Sequence, residues 1–360
     1  MATINAQTLT ERQKGLAACA CLMAQGDMNR LEPAVRKALD GGVTINELKE
    51  AFSQLYAYTG FPRSLNALGV LSKVLENGRS SESHPSLLED GRVVTDEGKA
   101  NKQPEWQEGK PWKRPAEWDD AKKTYELGVK NQTQLSGKPF NYDFCPQDDY
   151  YLKSHLFGDI FAGDQLSAAD REIVTVAALS GLDGVAPQLA AHKQGAVNMG
   201  NSKQLVDELC TWLCNEGYTL STTWPKGEPN PYGQYFIGQS YLADVGGGVM
   251  RSAQSDASSS VTSLKNVTFE PRCRNNWHIH HKQVQVLICV AGKGWYQEWG
   301  KAPVEMTPGT VIAIPAEVKH WHGAQKDSWF QHLTYHKDVQ DGASNEWLEP
   351  VDDDTYNALK

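Results

Sequence analysis

The 360-residue chain contains no run approaching the roughly 18 consecutive apolar residues of a membrane span, so a bilayer crossing is not expected. It lacks a cluster of Lys and Arg, and its formal net charge is −9. The cationic track that follows a phosphate backbone is therefore missing, and nucleic acid is not an expected partner. Met1 to Gln7 lacks the apolar segment of a signal peptide, which makes a cytoplasmic location the expectation; a leader removed ahead of residue 1 is left open. The seven cysteines are odd in number, scattered, and nowhere spaced as Cys-x-x-Cys. Buried reduced thiols are expected, not a disulfide framework.

What is present reads as globular. Apolar residues make up 40% and charged residues 22% of a chain long for one hydrophobic core, which predicts two or three domains. Residues 9–76 are patterned as helices, with capping-box openings at Thr10–Gln13 and Thr44–Glu47 and stops at Gly41-Gly42 and Gly60. From Asn77 to about Trp118 the chain is polar and rich in Gly, Ser and Pro, a long surface connection partly ordered by Trp106 and Trp112. Helical patterning resumes over 117–217. There, Leu166-Ser167 followed by Ile173-Val174 and Ala177-Ala178-Leu179 echoes Leu9-Thr10 followed by Leu16-Ala17 and Ala20-Cys21-Leu22, so two copies of one helical unit are expected. After a Pro- and Gly-rich linker at 223–233, short β-type runs appear at 234–241, 261–270, 284–290, 294–299, 311–314 and 329–335, the signature of an antiparallel sandwich or barrel. The expected divisions are 1–78 and 117–222 for the helical units, 79–116 for the connection and 223–360 for the barrel: a multidomain chain, all-α followed by all-β.

Seven of the ten histidines fall between His278 and His336, with clusters at Trp277-His278-Ile279-His280-His281 and Lys319-His320-Trp321-His322. Alternation along a strand points both rings of His-x-His to one face, and neutral imidazole is the commonest metal-ligating side chain. A metal site is the expectation. Imidazole with oxygen ligation suits Mn, Fe, Ni, Co or Zn alike.

Residues 234–340 resemble the cupin superfamily. Its first motif, His-x-His, then an acidic or amide ligand, then Gly, corresponds to His278, His280, Gln285 and Gly292; its second corresponds to Pro315 and His320. By that resemblance His278, His280, Gln285 and His320 are metal ligands, although His281 and Gln283 lie close enough to leave the register open. An amide where many cupins carry Glu would leave a divalent ion formally +2, a stronger Lewis acid. His-Trp-His-Gly-Ala at 320–324, with Ala291-Gly292-x-Gly294-Trp295 before it, is similar to small bacterial manganese cupins, some of which are hydroxynitrile lyases. That resemblance implies manganese and makes His332 a pocket acid/base. It also marks one extra residue between His280 and Gln285. His322 shares a strand face with His320 as either a supporting or a structural group, and Trp295 and Trp321 either line a pocket or pack.

The segment 56–68, His155 to Asp159, and Ala191 to Gly200 resemble the carboxymuconolactone decarboxylase family, which implies an all-helical fold that usually forms homo-oligomers. The related alkylhydroperoxidases use Cys-x-x-Cys, absent here. Decarboxylation of a lactone acid needs a cation for the carboxylate and an acid for the carbanion. His192 is the candidate acid and Arg63 or Arg171 the candidate cation; the alternative is that Arg171 pairs with Asp170 or Glu172 on the surface. The functional expectation is a metal-dependent lyase or decarboxylase for a small oxygenated or carboxylated molecule. A cupin oxygenase, an oxidoreductase linked to the helical family, and a non-catalytic binding module are the alternatives.

Overall fold

In a computed structural model, which describes residues 8–79, 105–221, 223–245 and 263–359, both expected capping boxes form. Thr10 and Thr44 accept from the backbone N–H groups of Gln13 and Glu47, whose side chains return the bond, satisfying donors that a helix start would leave open. The helices are α1 (Glu11–Gln25), α2 (Met28–Asp40), α3 (Ile45–Thr59), α4 (Phe61–Arg79), α5 (Ala121–Ser136), α6 (Pro146–Tyr151), α7 (Ala168–Ser180), α8 (Ala186–Asn198) and α9 (Lys203–Asn215). A π-helical stretch, Leu152–Ile160, follows α6. It lies so close to α5 that a Cβ on Gly128 would sit 1.6 Å from the Lys153 carbonyl oxygen.

The chain divides into two compact units, Met1–Cys210 and Thr211–Lys360, so both helical copies share the first. The corresponding helices α1 and α7 pack on each other, and each packs on its own successor, α2 or α8. Their facing side chains, Leu16, Leu22, Ile173 and Val176 among them, are fully buried. The polar connection contributes residues 105–115: Ile45 and Asn46 donate to the carbonyls of Gln107 and Glu108, each at 3.0 Å, and Trp106 Nε1 donates to Asp40 at 2.8 Å.

The second unit holds thirteen described strands, β1 (Glu228–Pro229), β2 (Phe236–Ile237), β3 (Ser240–Asp244), β4 (Lys265–Phe269), β5 (Arg274–Asn275), β6 (His278–His281), β7 (Val284–Gly292), β8 (Gly294–Glu298), β9 (Val304–Met306), β10 (Val311–Ile314), β11 (His320–Ala324), β12 (Phe330–Lys337) and β13 (Ser344–Trp347), then α10 (Asp353–Asn357). One sheet runs β1-β3-β4-β12-β7-β10; the other runs β13-β6-β11-β5-β2, with β8 on β11 and β9 on β8. The single strand expected over 234–241 is broken in two because Gly238 takes φ +90°, a left-handed turn against Cys273. The expected strand at 261–270 begins outside the described residues and is seen as β4.

Val267, Phe269, Leu287, Met306, Ile314 and Phe330 fill the interior. Trp295 and Trp321 are packing residues, clustered with Trp277, Val351 and Tyr356 of α10, and Tyr356 donates to the Ala324 carbonyl at 2.7 Å. Trp321→Ala is expected to lower the stability of this unit by about 3–5 kcal/mol, read as a shift in its denaturant midpoint.

Candidate functional site

β6 and β11 are hydrogen-bonded neighbours with His320 directly opposite His278, so strand alternation brings His278, His280 and His320 to one interior face. Their ring centroids stand 4.1–5.4 Å apart, and ligating nitrogens of the three lie within 4.8 Å of one another. Each ring has its Nδ1 committed: His278 donates to the Asn276 carbonyl at 3.0 Å, His320 to the Val318 carbonyl at 2.8 Å and His280 to Asn345 Oδ1 at 2.6 Å. Nδ1–H donation leaves Nε2 as a lone-pair donor in every case.

Gln285, on β7, completes the set. Its Nε2 donates to Thr334 Oγ1 at 3.3 Å, which turns Oε1 to within 3.1 Å of His320 Nε2. Two lone pairs therefore face each other across a ligand-to-ligand separation, a repulsive arrangement unless a cation lies between them. His280 Nε2 is buried with no partner at hydrogen-bond geometry. Burial is the first cause that holds all three imidazoles below their usual range, His278 well below it and His320 down to about 3, with mutual repulsion of neighbouring rings adding to it. The rings are neutral at physiological pH, the state a metal requires. The residues fit a divalent transition metal held by His278, His280, His320 and the Gln285 amide oxygen.

The neighbours left open by the sequence take other places. His281 faces outward between Glu317 at 2.5 Å and Glu346 at 3.0 Å, and Gln283 donates to Asn345 Oδ1 at 2.9 Å. Asn345 thus holds His280 and is itself held. Asn345→Ala should weaken metal affinity about 10–100-fold without unfolding the unit, measured by chelator competition.

His332 lies on β12 at the far side of His322. The His322 and His332 rings are 4.8 Å apart, and His322 is 5.6 Å from His278. Asn275 fixes His322, accepting from its backbone N–H at 2.9 Å. His332 is fully buried beside Phe269 and Phe330, its Nδ1 donates to the Leu333 carbonyl at 3.2 Å, and its Nε2 has no partner. Burial pushes it down to about 4, so it is a neutral base at pH 7. His336, whose ring is 4.6 Å from His280, was not singled out in the sequence; its spacing of four from His332 along one strand face was the available signal.

Histidines depressed this far make the metal-free unit acid-labile. A ring with a lower pKa when folded binds protons more readily when unfolded, so its contribution is complete above about 6.5 and lost as pH falls toward the folded value. With His320 at about 3 and His332 and His336 at about 4, the denaturant midpoint of metal-stripped protein should fall steadily below pH 6.5. His332 alone contributes on the order of 3 kcal/mol, so unfolding should precede pH 4. A midpoint unchanged from pH 7 to pH 4.5 would contradict this.

In the helical unit, His192 Nδ1 bonds Glu172 Oε2 at 2.8 Å, Tyr58 meets the ring edge-on at 5.5 Å, and the imidazole lines a cavity of about 850 Å³. Arg63 is elsewhere, donating to the Ala24 carbonyl, and does not line that cavity. Arg171 is buried, bonded to Gln54 at 2.9 Å, Glu50 at 2.5 Å and the Gly163 carbonyl at 2.8 Å. The surface pairing with Asp170 or Glu172 does not occur, because α3 presents Glu50 and Gln54 to it and Asp170 is taken by Arg12 at 3.0 Å.

The carboxymuconolactone decarboxylase family model matches residues 1–73 and the cupin domain model residues 265–330. Over 91 residues the chain is 42% identical to (R)-mandelonitrile lyase of Granulicella tundricola, covering 25% of this chain and 68% of that protein. It is 34% identical over 79 residues to Peroxisomal protein 2 of Saccharomyces cerevisiae, covering 22% of this chain and only 28% of the yeast protein. Among solved structures, a cupin-like protein from Thermotoga maritima is 30% identical, with 38% of this chain and 96% of that chain covered and a TM-score of 0.33.

Proposed function

Because the chain belongs to the cupins through its C-terminal unit and carries a carboxymuconolactone decarboxylase family domain at its N-terminus, we propose that it is a metal-dependent lyase. Its substrate class is a small hydroxylated organic molecule whose carbon–carbon bond beside the hydroxyl is broken or made, as the name of the Granulicella relative suggests. The observation that carries the reading is Gln285 Oε1 facing His320 Nε2 at 3.1 Å beside two further rings with free lone pairs.

When bound, the metal supplies Lewis acidity to an oxygen of the substrate and a counter-charge for an anionic product. Gln285, neutral and pinned by Thr334, keeps that positive charge undiminished. His332 Nε2 accepts the hydroxyl proton; the C–O bond becomes a carbonyl as the electron pair of the C–C bond departs with the leaving carbanion, cyanide in a hydroxynitrile. In the reverse direction the protonated ring returns the proton. His322 fixes the position of His332, and the apolar faces of Phe269 and Phe330 keep water from that base.

The test is an assay of mandelonitrile cleavage with the protein as purified, stripped by chelator, and reloaded separately with manganese, iron, nickel, cobalt and zinc. Activity that disappears on stripping and returns with a metal supports the lyase. Oxygen consumption coupled to product formation would replace it with an oxygenase, and ligand-induced stabilisation without product would replace it with a binding module.

A further inference from the structure

The cavity of about 850 Å³ in the helical unit has chemistry of its own. Tyr56, Phe140, Tyr151 and Phe157 give it an aromatic wall. Two imidazoles reach it, and each is tied through Nδ1 to a carboxylate, His155 to Asp159 at 2.7 Å and His192 to Glu172 at 2.8 Å. Among the described residues no lysine or arginine lines it, whereas Asp148 does. Each ring is accompanied by its own carboxylate, so the two pairs bring no unopposed cation to the wall. Glu172 is fully buried and its Oε1 has no hydrogen-bond partner, so an anion brought beside it would add uncompensated charge.

With its Nδ1–H on Glu172, His192 has Nε2 as an acceptor at the wall, with no protein partner among the described residues. The Tyr58 ring edge and the Glu172 bond hold the imidazole in that orientation. A ligand completes the site by donating a hydrogen bond.

The geometry points to a second binding site here, for an uncharged aromatic molecule bearing a hydroxyl, its ring among Tyr56, Tyr151 and Phe157 and its O–H on His192 Nε2. The site does not rest on the lyase reading of the other unit. It also departs from a cation-assisted decarboxylation, the expectation the sequence raised for this half, since Arg63 and Arg171 both direct their guanidinium groups to other partners.

The test uses the full chain carrying His320→Ala, which disables the proposed metal centre and isolates the helical site. Binding of benzyl alcohol, benzyl methyl ether and benzoate is measured by saturation-transfer NMR and calorimetry, with circular dichroism to check folding. Benzyl alcohol should bind, the ether about tenfold more weakly for want of one hydrogen bond, and benzoate at least about a hundredfold more weakly. Ala191→Trp, a substitution at an exposed position of α8 that lines the cavity, should abolish alcohol binding with the His192–Glu172 pair intact. His192→Phe should keep aromatic binding and erase the preference for alcohol over ether. Absent alcohol binding, benzoate binding as tightly as the alcohol, or affinity unchanged in Ala191→Trp overturns the site. An ether bound as well as the alcohol, or a preference that survives His192→Phe, overturns the ligand class; if His192→Phe does not fold, the ligand series and Ala191→Trp decide.

Discussion

His320→Ala protein should emerge from purification without the stoichiometric divalent ion expected of the unaltered chain. The expectation follows from position. His320 sits opposite His278 in register, their ring centroids are 4.1 Å apart, and its Nε2 is 3.1 Å from the Gln285 oxygen. Loss of an outer-layer partner of a metal ligand costs about 10–100-fold in affinity, so loss of the ligand itself should exceed about a hundredfold. Elemental analysis beside His278→Ala and Gln285→Ala reads the result. Removal of Gln285 should weaken binding less than removal of either imidazole, because an amide oxygen is the poorest donor of the set. Equal metal content in all four proteins would end the assignment.

The second large effect separates chemistry from metal binding. His332→Ala should retain the ion, since its ring lies beyond His322 and touches no ligand, and should lose about 10²–10⁴-fold in kcat. KM should change little. Deleting this ring leaves space beside Phe269 and Phe330, so His332→Gln, closer in volume, controls for collapse of the interior. Metal loss in both variants would make His332 a structural residue, and full activity in both would remove it from the mechanism.

How far the sequence discloses this molecule depends on how far apart the cooperating residues lie. His278 and His280 are legible as a pair because strand alternation alone determines their common face, and the two capping boxes because all their partners lie within one turn. Asn345 and Thr334 are not legible. They act on His280 and Gln285 across 65 and 49 residues, and only strand pairing makes them neighbours. The polar run Ser-Asn-Glu-Trp gives no hydrophobic alternation, yet it forms β13 because its backbone completes the edge of β6. Arg171 shows the opposite failure. Its own neighbours Asp170 and Glu172 suggest a solvated helix face, while α3 supplies Glu50 and Gln54 from more than a hundred residues away.

The pairing of β12 with β7 skips Val290: Gln331 lies opposite Ala291, whereas His332 lies opposite Cys289. That one surplus residue lets Gln285, Leu287 and Cys289 stand opposite His336, Thr334 and His332 while the strand ends still meet at Gly292 and Phe330. Val290 itself stands opposite no residue of β12, so its excision would leave each of these pairs in place and turn the bulge into a regular ladder. A residue gained or lost within the regular stretch between Gln285 and Cys289 has no such outlet: alternation would turn Gln285 to the opposite face, away from the three imidazoles, so that stretch is intolerant of length changes that ordinary loops absorb.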